Sequence, residues 1–142
     1  AKDGHVNWSP DMIYFNNKEV KPTVTYHVHK LCSNYCGDEY IESTLSVNEG
    51  RKGVRERLVV STVRDSKTGK VYIKMVNHPV KGKLDLSSLK DRFGEAQSLD
   101  ARLHVLTGNW DDRNARPKES DIKVKPEFDY ELPAYSFSLI EI

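Results

Sequence analysis

The chain has 142 residues, enough for one domain with a core of its own. Its 22 Lys and Arg against 21 Asp and Glu leave a formal net charge of +1. That balance excludes a nucleic-acid or membrane-surface binder driven by charge, because the cationic excess that phosphates demand is missing. Aromatics at 9% argue against disorder. No apolar run approaches the roughly 20 residues of a membrane span. Two cysteines, Cys32 and Cys36, do not make a disulfide scaffold. The polar opening Ala1-Lys2-Asp3-Gly4-His5 carries no apolar signal and does not look like a natural beginning.

In chain order, the apolar burst Met12-Ile13-Tyr14-Phe15 between Pro10 and Asn16-Asn17 predicts a short buried strand. The stretch from Pro22 to Tyr35 fits two periods. Val24, Tyr26 and Val28 alternate as in a strand. Val24, Val28, Leu31, Cys32 and Tyr35 also share one helical face. Pro22 at a first helical position and Gly37 past the end favour the helix. Val47 to Gly53 reads as a polar turn. Residues 56–64 and 70–77 form a β-hairpin joined by the five turn residues Asp65 to Gly69, with Val71, Ile73 and Met75 on one face. Lys83 to Leu86 is a short strand. In the strand from Ala101 to Thr107, Leu103 and Val105 are expected to face in.

A polar loop follows from Gly108 to Ser120, long enough to be functional or mobile. After it, Ile122 and Val124 face inwards while Asp121, Lys123 and Lys125 face out. Tyr135 to Ile140 makes the last strand, and Pro126 and Pro133 bound these segments. Many short strands with regular turn signals and almost no helix predict a mainly β fold, an antiparallel β-sandwich.

Several clusters could carry chemistry. His29, Cys32 and Cys36 have the residue types of a zinc site, with His27 or Asp38 as a conceivable fourth ligand. The stronger reading makes Cys32 a small core residue beside Val28 and Leu31, so no metal and no cofactor is assigned. A Cys32–Cys36 disulfide does not suit a regular helix. Glu39 with Glu42, and Asp111 with Asp112, read as solvated charges rather than a general-acid and nucleophile pair. There is no Gly-x-Ser-x-Gly elbow, phosphate loop or His-Glu-x-x-His. Trp110, flanked by Asn109 and Asp111, has the make-up of a sugar-stacking platform, an aromatic face beside hydrogen-bonding groups. The alternative, favoured by the usual burial of tryptophan, is that Trp110 plugs the end of the sandwich.

Four segments carry a family resemblance. Asp3 to Asn17, with Asn7-Trp8-Ser9-Pro10-Asp11 at its centre, resembles the end of the catalytic barrel in family 51 α-L-arabinofuranosidases. Pro22-Thr23-Val24-Thr25-Tyr26-His27-Val28 with Lys30-Leu31-Cys32-Ser33 and Gly37-Asp38 is similar to that family's P-T-x-x-Y-x-V-x-K-L-F-S…G-D. Gly69 to Asn77 resembles its G-x-x-Y-x-K-x-V-N hairpin. Leu132-Pro133-Ala134-Tyr135-Ser136 resembles its closing L-P-P-Y-S. Cys32 stands where the family usually has Phe, which marks a packing position.

The resemblance implies that residues 1–36 are the last strand and helix of a (β/α)8 barrel, so the Tyr26 stretch is helical. Residues 37–142 would be a C-terminal β-sandwich of jelly-roll type. Both catalytic glutamates would lie upstream, so no residue here is catalytic. Either Asn7 and Trp8 would sit near the substrate of the full enzyme, at the barrel's C-terminal face, or Trp8 with Pro10 would only shape the strand-to-helix loop. The implied role is a non-catalytic domain that packs on the barrel of the same parent chain and stabilises it. The parent would remove terminal arabinofuranosyl residues from arabinan or arabinoxylan by retaining hydrolysis. The rival reading is a carbohydrate-binding module using Asn109, Trp110 and Asp111. Oligomerisation of the parent is compatible with either. A secreted or periplasmic and a cytoplasmic location are equally compatible.

Overall fold

β-branched and aromatic residues set the outline of this chain, since they favour a pleated, half-buried surface. The computed structural model describes residues 11–43, 58–77, 81–109 and 112–142. The turn expected from Val47 to Gly53 lies outside the described residues. An antiparallel ribbon comes first, β1 (Ile13–Phe15) with β2 (Val20–Pro22), followed by helix α1 (Val24–Asn34). The short strand β3 (Glu39–Ile41) leads to the hairpin of β4 (Leu58–Arg64) and β5 (Val71–Asn77). Strand β6 (Lys81–Asp85), a 3-10 turn Ser87–Leu89 and the one-turn helix α2 (Lys90–Phe93) come next. Then follow β7 (Leu99–Thr107), β8 (Lys118–Val124), β9 (Glu127–Glu131) and β10 (Ser136–Glu141).

Six of these strands form one antiparallel sheet in the order β3-β4-β5-β10-β7-β8. The C-terminal strand β10 is thus central, hydrogen-bonded to β5 on one side and β7 on the other. The β6–β9 ribbon, with α2, forms a second layer over one face. Between the layers Leu58, Val71, Ile73, Met75, Ala101, Val124 and Ile140 of the sheet meet Leu86, Leu89, Phe93 and Leu132. The mainly β, antiparallel sandwich is as the sequence indicates.

The opposite face of the sheet is covered by α1. Leu31 packs on Leu106, Phe137, Leu139 and Ala115, with Val24, Val28, Cys32 and Tyr35 around it. The helical period therefore prevails over the alternating one. Each fully buried leucine contributes about 1.5–3 kcal/mol. Because both faces of the central strands are covered, alternation fails there as a guide. His104 and Leu106 on β7 are more buried than Leu103 and Val105, the pair expected to face in. On β10 the serines 136 and 138 are as buried as the apolar residues between them. The Tyr130 hydroxyl donates to Ser138 Oγ at 3.2 Å, and Ser136 Oγ donates to the Pro133 carbonyl at 2.7 Å.

Other expectations shift. Met12, Ile13 and Phe15 are exposed and Tyr14 is half-buried, because β1 pairs only with β2 and nothing among the described residues buries the first three side chains. Pro22 ends β2 instead of opening the helix, and Thr23 is the N-cap. The β4–β5 connection has six residues, Asp65 to Lys70, closed by hydrogen bonds from Asp65 N to the Lys70 carbonyl and from Gly69 N to the Asp65 carbonyl. Strands β2, β3 and β9 and the turn from Ser87 to Phe93 were not apparent in the sequence pattern.

Gly37 and Asp38 stitch the segment after α1 to the hairpin. A Cβ on Gly37 would lie 2.4 Å from the Arg64 carbonyl oxygen, so only glycine allows the approach. Asp38 accepts from Ser66 N at 2.8 Å and from Ser66 Oγ, and these bonds hold its carboxyl below its usual range. Gly37→Ala should destabilise the chain by about 1–3 kcal/mol, the usual cost of forced overpacking. The urea midpoint reads this directly; an unchanged midpoint would show that the Arg64 backbone gives way freely.

Candidate functional site at the helix–loop seam

The sequence-derived site residues fall largely outside the described part of the chain. Asn7, Trp8, Trp110 and Asp111 are not among the described residues, and Asn109 is exposed at the end of β7. His29, Cys32 and Cys36 do not converge: Cys32 lies against the α1 core cluster, Cys36 is exposed, and both are free thiols. No group of three His, Cys, Asp or Glu positioned for a metal occurs among the described residues. Glu39 is ion-paired with Arg64.

What the structure does bring together is the polar loop after β7 and the start of α1. Thr23 is almost wholly buried; its N donates to the Met12 carbonyl at 2.9 Å, and its Oγ1 donates to the carbonyls of Asp11 and Met12 at 3.2 and 3.0 Å. This pins the first turn of α1 to β1. The loop closes on the same place. Gly108, at φ +148°, has backbone so near Val24 and Ala115 that a Cβ would stand 3.1 Å from each. Asp112 Oδ1 accepts from Asn114 N at 2.8 Å and Ala115 N at 3.1 Å, which shapes the turn. Ala115 is buried in the α1 cluster. The Arg113 guanidinium carbon sits 4.0 Å from the centroid of the Tyr14 ring on β1. Arg116 Nη1 donates to the carbonyls of Arg113 and Ala115.

His27 lies buried on this side of α1, edge-on to Tyr26, with no hydrogen-bond partner for Nε2 among the described residues. Burial holds its pKa below the ordinary value, and the charges of Arg116 and Lys30 push the same way.

A second cluster lies at the other end of α1. His104 is fully buried beneath Tyr35, with ring centroids 4.7 Å apart. Its Nδ1 faces Glu119 Oε1 at 3.4 Å and its Nε2 faces Glu141 Oε2 at 3.8 Å. Glu141 is held by Lys70 at 2.5 Å. Tyr35 also meets Tyr72 edge to face at 5.7 Å, and burial followed by Glu141 raises the pKa of both phenols. With Tyr35 packed over His104, this arrangement fastens helix to sheet. Sequence reasoning missed His104, because alternation put it on the outer face.

Among these residues, Tyr14, Thr23, Lys70 and Tyr72 lie in the segments that carry the family resemblance. The model of the α-L-arabinofuranosidase C-terminal domain family matches residues 5–136. The chain belongs to this family. Among solved structures it is similar to an arabinose-bound family 51 α-L-arabinofuranosidase, at 28% identity and a TM-score of 0.75, over 95% of this chain and 21% of that one. The arabinose complex of the α-L-arabinofuranosidase from Thermotoga maritima matches at 17% identity and a TM-score of 0.68, over 92% of this chain and 31% of that one. The thermostable enzyme from Thermotoga petrophila RKU-1 matches at 20% identity and a TM-score of 0.66, again over 92% and 31%. The last two likenesses speak for the fold alone. No curated protein sequence matches the chain. The chain thus spans between a fifth and a third of the length of these enzymes.

The family's segments acquire physical reasons here. The Pro-Thr pair supplies Thr23, which ties α1 to β1. The Lys-Leu pair supplies Leu31, the centre of the helix–sheet contact. The Gly-Asp pair clamps the hairpin, and the closing Leu-Pro-x-Tyr-Ser places Leu132 in the core and turns the chain at Tyr135, with φ at +50°.

The His27 geometry makes stability fall with acid. Its folded pKa lies below the unfolded value of about 6.5, so the unfolded chain binds more protons; its contribution is full above that pH and lost as pH falls below it. Urea midpoints should therefore drop from pH 7.5 to 5, and His27→Gln should make the drop shallower. An identical slope in the variant would remove His27 as the cause.

Proposed function

We propose that this chain is the non-catalytic C-terminal part of an α-L-arabinofuranosidase, packing on and stabilising the catalytic barrel of the same parent chain. In this reading residues 1–36 are the barrel's last strand, connection and helix. Residues 37–142 are the sandwich, whose sheets close as a jelly roll. The parent hydrolyses terminal arabinofuranosyl residues of arabinan or arabinoxylan with retention, using two glutamates outside this chain. The observation that supports this best is the β1–β2 ribbon. Phe15 and Val20 are direct cross-strand partners, yet they are 70% and 64% exposed, with Ile13 and Met12 exposed beside them. A contiguous apolar patch of this kind calls for a cover, and the length by which the similar enzymes exceed this chain offers one. Helix α1 then has two duties, closing the sheet with one face and presenting the chain to the barrel with the other.

Two measurements test the reading. The 142-residue chain should show no turnover of an aryl arabinofuranoside, while the parent enzyme should hydrolyse it; turnover by the purified chain would refute the non-catalytic role. Phe15→Ser should change the stability of the chain alone by no more than about 0.5 kcal/mol, as at an ordinary surface site. The same substitution in the parent should lower stability by about 2–4 kcal/mol, as for a buried large residue. Equal effects in both would mean that nothing covers the ribbon.

A further inference from the structure

The place where the loop after β7 docks has a consequence that rests on the barrel reading of residues 1–36. In a (β/α)8 barrel the segment between a strand and its following helix lies at the C-terminal face, where active sites are built, and each helix begins at that face. In this chain the segment before α1 is the β1–β2 ribbon, and the start of α1 is Val24. Both are touched by the loop of the sandwich. Gly108 lies against Val24, Ala115 is buried beside the helix, and the Arg113 guanidinium stacks on Tyr14 of β1.

We propose that Asn109 and Arg113 belong to the wall of the parent enzyme's substrate cleft, and that Arg113 hydrogen-bonds a sugar unit beyond the terminal arabinofuranosyl residue. The chemistry suits a neutral polyhydroxylated ligand. The contact over the Tyr14 ring, 4.0 Å from its centroid, holds the guanidinium in place, and a guanidinium so held still carries several N–H donors for sugar hydroxyls. Arg113 and Asn109 are both exposed. The loop is held in place by Asp112, whose carboxylate accepts from Asn114 N and Ala115 N, and by Arg116, which donates to the Arg113 carbonyl. A side chain on a loop so fastened is positioned before substrate arrives, as specificity requires. Its effect falls on the part of the substrate that leaves, because the terminal sugar is gripped by the barrel itself.

The experiment uses the full parent enzyme with two substrates, an aryl arabinofuranoside and a linear arabino-oligosaccharide. In Arg113→Ala the ratio of kcat/KM for the oligosaccharide to that for the aryl glycoside should fall five- to tenfold, mainly through a higher KM for the oligosaccharide. Arg113→Gln, which keeps a polar side chain of similar reach, should fall between wild type and Arg113→Ala. Arg102→Ala, on the sheet away from the loop, should leave the ratio unchanged. A ratio within twofold of wild type in Arg113→Ala overturns the proposal while leaving the barrel reading intact. So does a proportional loss on both substrates, which marks a purely structural role. A parent enzyme without turnover on the aryl arabinofuranoside overturns the reading beneath the proposal, and the proposal with it.

Discussion

The contact on which the rest of this structure depends is the one between Leu31 of α1 and the residues Leu106, Phe137 and Leu139 of the sheet. Strand β10 lies inside a sheet of six strands; an antiparallel sheet can leave one face wet, but here Ile140 on one face and Phe137 and Leu139 on the other all leave water. The β6–β9 layer covers one face and cannot reach the other. Helix α1 completes the enclosure, and this single placement explains three features. It buries His104 beneath Tyr35. It buries Phe137 and Leu139, on the face of β10 opposite to Ser138, which accepts from Tyr130 of β9. It also brings the start of the helix under the loop after β7.

Electrostatics take second place to packing here, and their placement follows the same logic. The charged residues of β7 and β8 pair across the exposed part of the sheet, with Arg102 facing Asp121 and Glu119, and Lys123 facing Asp100. Pairs this exposed contribute little individually. Glu141 is largely covered and faces the buried His104, whose other ring nitrogen faces the exposed Glu119. The acidic side chains at 38, 65 and 85 accept backbone N–H groups in turns, which depresses their pKa values and holds the corners of the hairpin and of α2.

Much of this was legible in the sequence where one face of an element is wet. The β4–β5 hairpin showed itself through Val71, Ile73 and Met75, and the outer lysines of β8 separated cleanly from Ile122 and Val124. Legibility failed where a second layer covers the other face. On β7 the alternation of Leu103 and Val105 is real, yet His104 and Leu106 are the more deeply buried because α1 lies over them. It failed again for β2, β3 and β9, whose three to five residues are too few to show a period. Of the two loop residues the proposal uses, Asn109 was named from the sequence, whereas Arg113 carries no signal there. Its significance comes from Tyr14, ninety-nine positions earlier, and only the fold joins the two.

Helix α1 also bears on how this chain can be divided. A cut at residue 37, the boundary that the family resemblance implies, would strip the cover from Leu106, Phe137 and Leu139 and leave Tyr72 and His104 facing solvent. A cut before β1 keeps the sheet closed but carries an apolar ribbon along. Neither of these cuts leaves both pieces with a polar surface. The boundary between the two parts is therefore a shared element rather than a linker, and neither part can be shuffled into another protein without a helix of matching shape. A lineage that keeps this sheet is obliged to keep the helix that closes it.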